Sequence, residues 1–171
     1  MSRIVISIPI VILILKQGNE YRATVLVLMF VGALTDLLDS LLARALNQVT
    51  DFGKLLDPTA DKICIIAICA ALVVVNDIPL WYAVIVALRD IMIVVGSAFI
   101  ISRRKVVVQS VWAGKFTVNF IAAYLILATL RMDSLAVVKT VFLYLSTISL
   151  FISFGVYARI YIKHMAKDGI A

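Results

Sequence analysis

Charge is scarce in this sequence of 171 residues, of which only 15% are Asp, Glu, Lys or Arg and 64% are apolar. Soluble globular domains are about 45–50% apolar and about a quarter charged. With a mean hydropathy of +1.11, this composition excludes an ordinary soluble domain and predicts an all-α, polytopic membrane protein. No linker rich in Pro, Gly or Ser divides the chain, so we expect one membrane domain over residues 1–171.

Cysteine and histidine are also rare. The two cysteines, Cys64 and Cys69, lie five residues apart in one apolar run, a spacing that suits neither a disulfide nor a metal site. We therefore predict two plain buried thiols. The single histidine, His164, lies in a basic tail and is expected to face solvent or lipid headgroups.

Acidic residues are outnumbered, and the formal net charge is +6. The basic residues fall in short segments beside apolar runs and do not line one soluble face. This distribution favours anionic lipid headgroups and phosphorylated substrates as partners, and no nucleic acid is expected.

The apolar runs predict six transmembrane helices. The first is short for a span but is followed by a charged segment and carries no cleavage site, so we expect a helix there and not a removed signal peptide. Asn47 to Gly53 is predicted to connect helices two and three. The predicted helices cover about Ile4 to Leu15, Ala23 to Leu46, Lys54 or Pro58 to Val75, Pro79 to Ile101, Val111 to Leu130, and Leu135 to Ile162.

The distribution of Lys and Arg predicts the orientation of these helices. With six spans, both termini and the connections after helices two and four share one side, which we expect to be the cytoplasmic side of the inner membrane. That side collects Arg3, Arg44, Lys54, Lys62, Arg103, Arg104, Lys105, Lys115, Arg159, Lys163 and Lys167, whereas the other side has Lys16, Arg22, Arg131 and Lys139.

Four carboxylates interrupt the apolar sequence. Asp36 and Asp39 are three residues apart and Asp57 and Asp61 four apart, so each pair shares one face of a helix. Carboxylates within a span are costly and usually face a functional cavity. Oxygen ligands without His or Cys suit Mg²⁺ or Mn²⁺, and four carboxylates favour two such ions.

The spacing of these acids within a longer motif is distinctive. In TDLLDSLLARALNQVTDFGKLLDPTADK, the fixed positions are Asp36, Asp39, Ser40, Ala43, Arg44, Gly53, Asp57 and Asp61. This pattern resembles the motif of the CDP-alcohol phosphatidyltransferase family at every position except Ser40, where the family has Gly. The resemblance implies transfer of a phosphatidyl or similar group from a CDP-linked donor such as CDP-diacylglycerol to an alcohol, with release of CMP, by a homodimer.

The resemblance also implies roles for the motif residues. Asp36, Asp39 and Asp57 are implied to be metal ligands, and Asp61 is implied to be a ligand or the catalytic base. Ser40, Ala43, Arg44, Thr50 and Gly53 match donor-binding positions. Ser40 places a hydroxymethyl group where the family has none; accommodation, a new hydrogen bond, weaker donor binding and a changed donor all remain open.

The acceptor is suggested by more dispersed features. The Arg89–Asp90 pair and the Gly114–Lys115 dipeptide resemble the branch containing phosphatidylglycerophosphate synthases and cardiolipin synthases, which implies glycerol 3-phosphate or phosphatidylglycerol as acceptor. Arg89, Lys115, Arg103 and Arg104 are the candidate cations for a phosphorylated acceptor. We expect Arg89 and Asp90 not to pair simply with each other, because adjacent helical residues point about 100° apart.

Other interpretations stay open for these residues. Arg89 and Asp90 suit structural ion pairs to other helices, Lys115 suits an interfacial position, and the Arg103–Lys105 run suits an orientation signal. An inositol phosphate acceptor, a cation transporter and an inactive membrane partner are alternatives for the whole chain. The fixed distance from the acids to Arg44 and Gly53 favours a nucleotide site over a cation path.

Overall fold

Every element described in the computed structural model is helical, which confirms the all-α prediction. Backbone is described for residues 2–16, 18–45, 51–104 and 112–166, and side chains for 6–16, 18, 20–35, 62–97 and 112–162. The helices are α1 (Ser2–Leu15), α2 (Asn19–Ala45), α3 (Asp51–Val74), α4 (Leu80–Arg104), α5 (Trp112–Leu130) and α6 (Ala136–Ala166), with a 3₁₀ turn at Asp133–Leu135 before α6.

The six predicted helices are found, but several extend beyond their apolar runs. Helix α2 begins at Asn19 with Glu20 in its first turn, where an acid interacts favourably with the positive end of the helix dipole. Helix α3 begins at Asp51, so Gly53 lies inside it and not in the predicted connection, and Pro58 lies beyond its first turn. Polar residues in helix ends, which an apolar window leaves out, account for these differences.

The helices form two compact units, Met1–Ala83 with Ala128–Arg131, and Val84–Leu127 with Met132–Ala171. In the first unit, α1 packs against both α2 and α3. Ile10, Val25 and Leu72 are almost fully buried in its core. Cys64 and Cys69 are buried, as predicted.

Small polar side chains are buried among α4, α5 and α6 in the second unit. Thr117 on α5 is fully buried, and its hydroxyl donates to the Ala113 carbonyl at 2.8 Å and to the Ser149 carbonyl of α6 at 3.0 Å. Ser146 and Ser153 of α6 are also fully buried. Small hydrogen-bonding residues of this kind are typical of contacts between membrane helices.

Large apolar side chains cover the outer faces of the second unit. Phe151 and Ile148 on α6 are 63% and 57% exposed, and Val95 on α4 is 62% exposed. Apolar surface on this scale is unusual in a water-soluble monomer. Three stretches of the described part, Leu80–Ser97, Trp112–Leu130 and Asp133–Ile162, are long and apolar enough to cross a bilayer, so the protein is a membrane protein.

Candidate active site

The four aspartates lie at corresponding levels of α2 and α3. Asp39 is six residues before the end of α2 at Ala45, and Asp57 is six residues after the start of α3 at Asp51. Asp36 and Asp61 are one turn further from those ends. Five residues connect the two helices.

The opposite ends of α2 and α3 are held together by an ion pair. The Arg22 Nη1 near the start of α2 donates to the Asp77 Oδ2 just after α3 at 2.9 Å. Two helices that meet at one end and are connected by a short segment at the other run antiparallel. The helix bounds therefore bring the Asp36–Asp39 and Asp57–Asp61 positions to the same end of this unit.

The side chains of these aspartates lie outside the described part of the chain, as do those of Ser40, Ala43 and Arg44. Gly53 lies on the described backbone of α3, and Thr50 lies outside it. Among the described side chains, no three His, Cys, Asp or Glu residues come together as a metal site. Two helical pairs of carboxylates nevertheless provide the donor chemistry that fits hard divalent cations.

Arg89 is the best-defined candidate residue of the second unit. It is 4% exposed and its Nη1 donates to the Asp90 Oδ1 at 2.6 Å. Its Nε and Nη2 donate to the Ser153 hydroxyl of α6 at 3.2 and 3.0 Å, and its guanidinium lies 5.9 Å from the centre of the Tyr157 ring. The expectation that Arg89 and Asp90 do not pair is wrong, because the long arginine side chain bridges the angle between the two positions.

The contacts of Arg89 with described residues use part of its donor capacity. A guanidinium carries five N–H donors, and three are used by Asp90 and Ser153. The remaining hydrogens are on Nη1 and Nη2. Arg89 is thus held in one position by α4 and α6, and two of its N–H groups are not used by Asp90 or Ser153.

Gly114 brings the start of α5 to Arg89. A methyl group on the Gly114 Cα would lie 3.4 Å from the Arg89 Nη2 but only 2.8 Å from the Tyr157 hydroxyl, so the close packing at this glycine is against Tyr157, with Arg89 beside it. Lys115 is the next residue; its side chain is exposed, and its Nζ lies 5.5 Å from the Trp112 ring. The sequence pairs Arg89–Asp90 and Gly114–Lys115 therefore meet in one unit.

Arg103 and Arg104 lie on the last turn of α4, where positive residues interact favourably with the helix dipole. Their side chains are outside the described part of the chain. The residues that the sequence analysis missed are Ser153 and Tyr157, which hold Arg89. Only their spacing of four along α6, which puts both on one face, could have indicated a shared contact.

The structure thus defines an all-helical membrane protein in which two antiparallel helices each carry a pair of aspartates. The family model for CDP-alcohol phosphatidyltransferase matches residues 1–154, and this match spans both units. The chain belongs to the CDP-alcohol phosphatidyltransferase family, which confirms the resemblance found in the sequence.

Curated relatives include synthases of two kinds. The chain is 34% identical over 129 residues to an Aquifex aeolicus protein named CDP-diacylglycerol–glycerol-3-phosphate 3-phosphatidyltransferase, covering 74% of this chain and 70% of that protein. It is 30% identical over 114 residues to a probable phosphatidylglycerophosphate synthase of Mycobacterium tuberculosis, covering 64% of this chain and 54% of the relative. It is 32% identical over 78 residues to a cardiolipin synthase (CMP-forming) of Streptomyces coelicolor, covering 46% and 36%.

Proposed function

We propose that this protein transfers the phosphatidyl group of CDP-diacylglycerol to glycerol 3-phosphate. The acceptor hydroxyl attacks the phosphorus that bears the diacylglycerol, and an O–P bond forms. The bond from this phosphorus to the oxygen of the cytidine phosphate breaks, and that oxygen leaves with the bonding electrons as CMP. The products are phosphatidylglycerophosphate and CMP, and no covalent enzyme intermediate is needed.

The observation that carries this proposal is the similarity to the Aquifex aeolicus 3-phosphatidyltransferase over 74% of the chain. The aspartates on α2 and α3 lie at matching distances from the connected ends of these helices, and this arrangement supports the proposal. The transfer needs cations that neutralise a pyrophosphate, and several negative ligands in one place can bind such cations.

Asp36, Asp39, Asp57 and Asp61 would hold two Mg²⁺ or Mn²⁺ ions. Bound ions of this kind stabilise the attacking and leaving oxygens of an in-line displacement. Asp61 acts either as one of these ligands or as the base that accepts the proton of the acceptor hydroxyl. The helical spacing of three and four residues lets each helix direct two carboxylates to one face.

The donor would bind beside these acids. Arg44, near the end of α2, suits a phosphate of the donor because its planar guanidinium binds oxyanions through two hydrogen bonds. Ala43 and Gly53 leave space for close approach of the nucleotide, and Ser40 and Thr50 offer hydroxyl groups. These assignments rest on the family motif.

The phosphate of the acceptor would bind the cations of the second unit. Arg89 has two N–H donors beyond those used by Asp90 and Ser153, and its position is fixed before the acceptor arrives. Lys115 adds an exposed ammonium group on α5, and Arg103 and Arg104 are further candidates at the end of α4. A preset guanidinium lowers the entropic cost of binding.

The membrane arrangement is part of the proposal. Six transmembrane helices would place both termini, the aspartates and the active site on the cytoplasmic side of the inner membrane, as the distribution of Lys and Arg predicts. The contact of the start of α2 with the α3–α4 turn supports this alternation of helix directions. A homodimer is the proposed assembly.

Phosphatidylglycerol is the second candidate acceptor, because relatives also include cardiolipin synthases (CMP-forming) from Streptomyces coelicolor and, as a probable one, from Drosophila melanogaster at 36% identity over 101 residues. The two acceptors differ in charge and bulk at the reacting alcohol. The cationic residues named above favour glycerol 3-phosphate, because it carries a free phosphate monoester.

The test is CMP release by the purified protein from CDP-diacylglycerol with Mg²⁺ or Mn²⁺. Glycerol 3-phosphate, phosphatidylglycerol and inositol phosphate are compared as acceptors, and Asp57→Asn and Asp61→Asn are the controls. We expect release that depends on glycerol 3-phosphate and is lost in both variants and in EDTA.

Each other outcome has a separate meaning. Release that depends on phosphatidylglycerol alone would assign the cardiolipin synthase reaction. No release with any acceptor, in protein that still binds CDP-diacylglycerol, would contradict the proposed activity and favour an inactive partner. Absence of donor binding would favour the cation transporter.

A further inference from the structure

A second charged cluster lies at the end of the first unit that is opposite to the aspartates. Asp77 accepts from the Arg22 Nη1 at 2.9 Å and from the Arg131 Nε. The same Nη1 of Arg22 donates to the Thr129 carbonyl at 2.7 Å, and the Arg131 Nη2 donates to the Val75 carbonyl at 2.7 Å. The cluster therefore connects the ends of α2, α3 and α5.

The cluster carries excess positive charge. Two guanidinium groups share one carboxylate, and the side chains of Arg22 and Asp77 are only 10% and 4% exposed. A buried charge without compensation is destabilising by several kcal/mol. An anion with a single negative charge would neutralise the three named side chains.

Two donors of Arg22 point to the form of this anion. Its Nε and Nη2 are buried, and no acceptor for either lies among the described residues. These two nitrogens lie on the same edge of the guanidinium, and together they form the two-donor fork that binds carboxylate and phosphate oxygens. Arg131, which shares Asp77 with Arg22, is the more exposed of the two guanidinium side chains, at 32%.

The backbone holds the cluster in place. Asn76 has a φ of 59°, and the Asn76 and Asp77 amides donate to the Val73 and Leu72 carbonyls at 3.0 and 2.9 Å. This is the Schellman arrangement that ends many helices, and it fixes Asp77. Arg131 has a φ of 46°. This left-handed conformation costs an arginine free energy, and it is kept only where surrounding contacts hold the residue in place.

We propose that Arg22, with Arg131, forms a binding site for one phosphate oxyanion, whose oxygens accept hydrogen bonds from the Arg22 Nε and Nη2. The source of the phosphate is either a phospholipid headgroup at the membrane surface or free phosphate. The site is separate from the proposed active site, because Arg22 lies fourteen residues before Asp36 on α2, or about 21 Å along the helix. It does not depend on the proposed activity.

The experiment measures thermal unfolding of the full-length protein after delipidation in detergent with EDTA. Dioleoylphosphatidylglycerol, dioleoylglycerol and inorganic phosphate are titrated separately. Wild type is compared with Arg22→Gln and with Arg22→Lys, which keeps the charge but lacks the fork. Lys16→Gln is the matched control, because it removes an exposed cation that directly follows α1.

We expect phosphatidylglycerol or inorganic phosphate to stabilise wild type and Lys16→Gln, while dioleoylglycerol does not. The apparent affinity should fall about tenfold in Arg22→Lys, because charge-assisted hydrogen bonds are lost, and further in Arg22→Gln. Stabilisation by the lipid but not by inorganic phosphate would identify the headgroup as the source. Equal affinity in wild type and Arg22→Lys, or no stabilisation by either phosphate compound, would overturn the proposal. If Arg22→Gln does not fold, Arg22→Lys alone decides.

Discussion

Gly114 on α5 lies against Tyr157 on α6, so close that a methyl group on its Cα would come within 2.8 Å of the phenol oxygen. The same position faces the guanidinium of Arg89. The position of the Tyr157 ring beside the start of α5 therefore requires a residue without a side chain at position 114.

The first prediction concerns this approach. Gly114→Ala should displace Tyr157 or α5, lowering the unfolding free energy by about 1–3 kcal/mol and raising the KM for the phosphorylated acceptor. Gly155→Ala is the control, since nothing lies within 4 Å of a methyl group there, and it should fold and react normally. Thermal unfolding and acceptor titrations check this. Equal behaviour of the two variants would contradict the close packing at Gly114.

The second prediction concerns the partners of Arg89. If they hold the guanidinium for the acceptor phosphate, Asp90→Asn and Ser153→Ala should both weaken the enzyme, with kcat/KM for the acceptor falling about tenfold for Asp90→Asn, which loses a charge-assisted hydrogen bond. Ser149→Ala is matched to Ser153→Ala, because among the described residues the Ser149 hydroxyl donates within its own helix, to the Ser146 carbonyl.

Steady-state kinetics with varied acceptor test whether Arg89 binds the acceptor. A rise in acceptor KM with little change in kcat supports binding of the acceptor. Tighter acceptor binding in Asp90→Asn would mean that Asp90 competes with the acceptor, which contradicts the positioning role given to Asp90 here.

The third prediction concerns Asp77. Asp77→Asn leaves Arg22 and Arg131 without their carboxylate, and loss of one partner from a buried ion pair costs about 3–5 kcal/mol. The control is Asp133→Asn, which removes an exposed acid from the 3₁₀ turn and should change stability little. Thermal unfolding in detergent compares the two. A similar small loss in both would show that the Asp77 cluster does not stabilise the first unit.

The fourth prediction concerns the end of α3. Asn76 has a left-handed backbone, which glycine and asparagine adopt far more easily than other residues. Asn76→Val should therefore lower the unfolding free energy by about 1–2 kcal/mol, whereas Asn76→Gly should be nearly neutral. Chemical denaturation in detergent measures both. If valine were tolerated as well as glycine, the backbone at residue 76 could not be left-handed in solution.

Much of the architecture could be predicted from the sequence, because long apolar runs and polar turns determine membrane helices locally. The turn at Asn76, Asp77 and Pro79 and the motif that connects Asp36 with Asp61 are local signals of this kind. The early start of α3 could not be predicted, because Asp51 and Gly53 favour a connection when judged alone.

The contacts between residues far apart in the chain could not be predicted from the sequence either. Arg22 meets Asp77 across 55 residues and the Thr129 carbonyl across 107, and only packing of the helices brings them together. Counting charges assigned Arg22 to one side of the membrane but could not indicate that it is buried. Ser153 is one of several small residues in α6, and only the structure shows that its hydroxyl accepts from Arg89.

The central claim is direct transfer of a phosphatidyl group to glycerol 3-phosphate. The most direct measurement is mass spectrometry of the products formed from CDP-diacylglycerol and glycerol 3-phosphate that carries ¹⁸O in its hydroxyl groups. We predict phosphatidylglycerophosphate that retains all of the label, together with unlabelled CMP. Label in the cytidine product, or phosphatidic acid formed in place of phosphatidylglycerophosphate, would contradict the account.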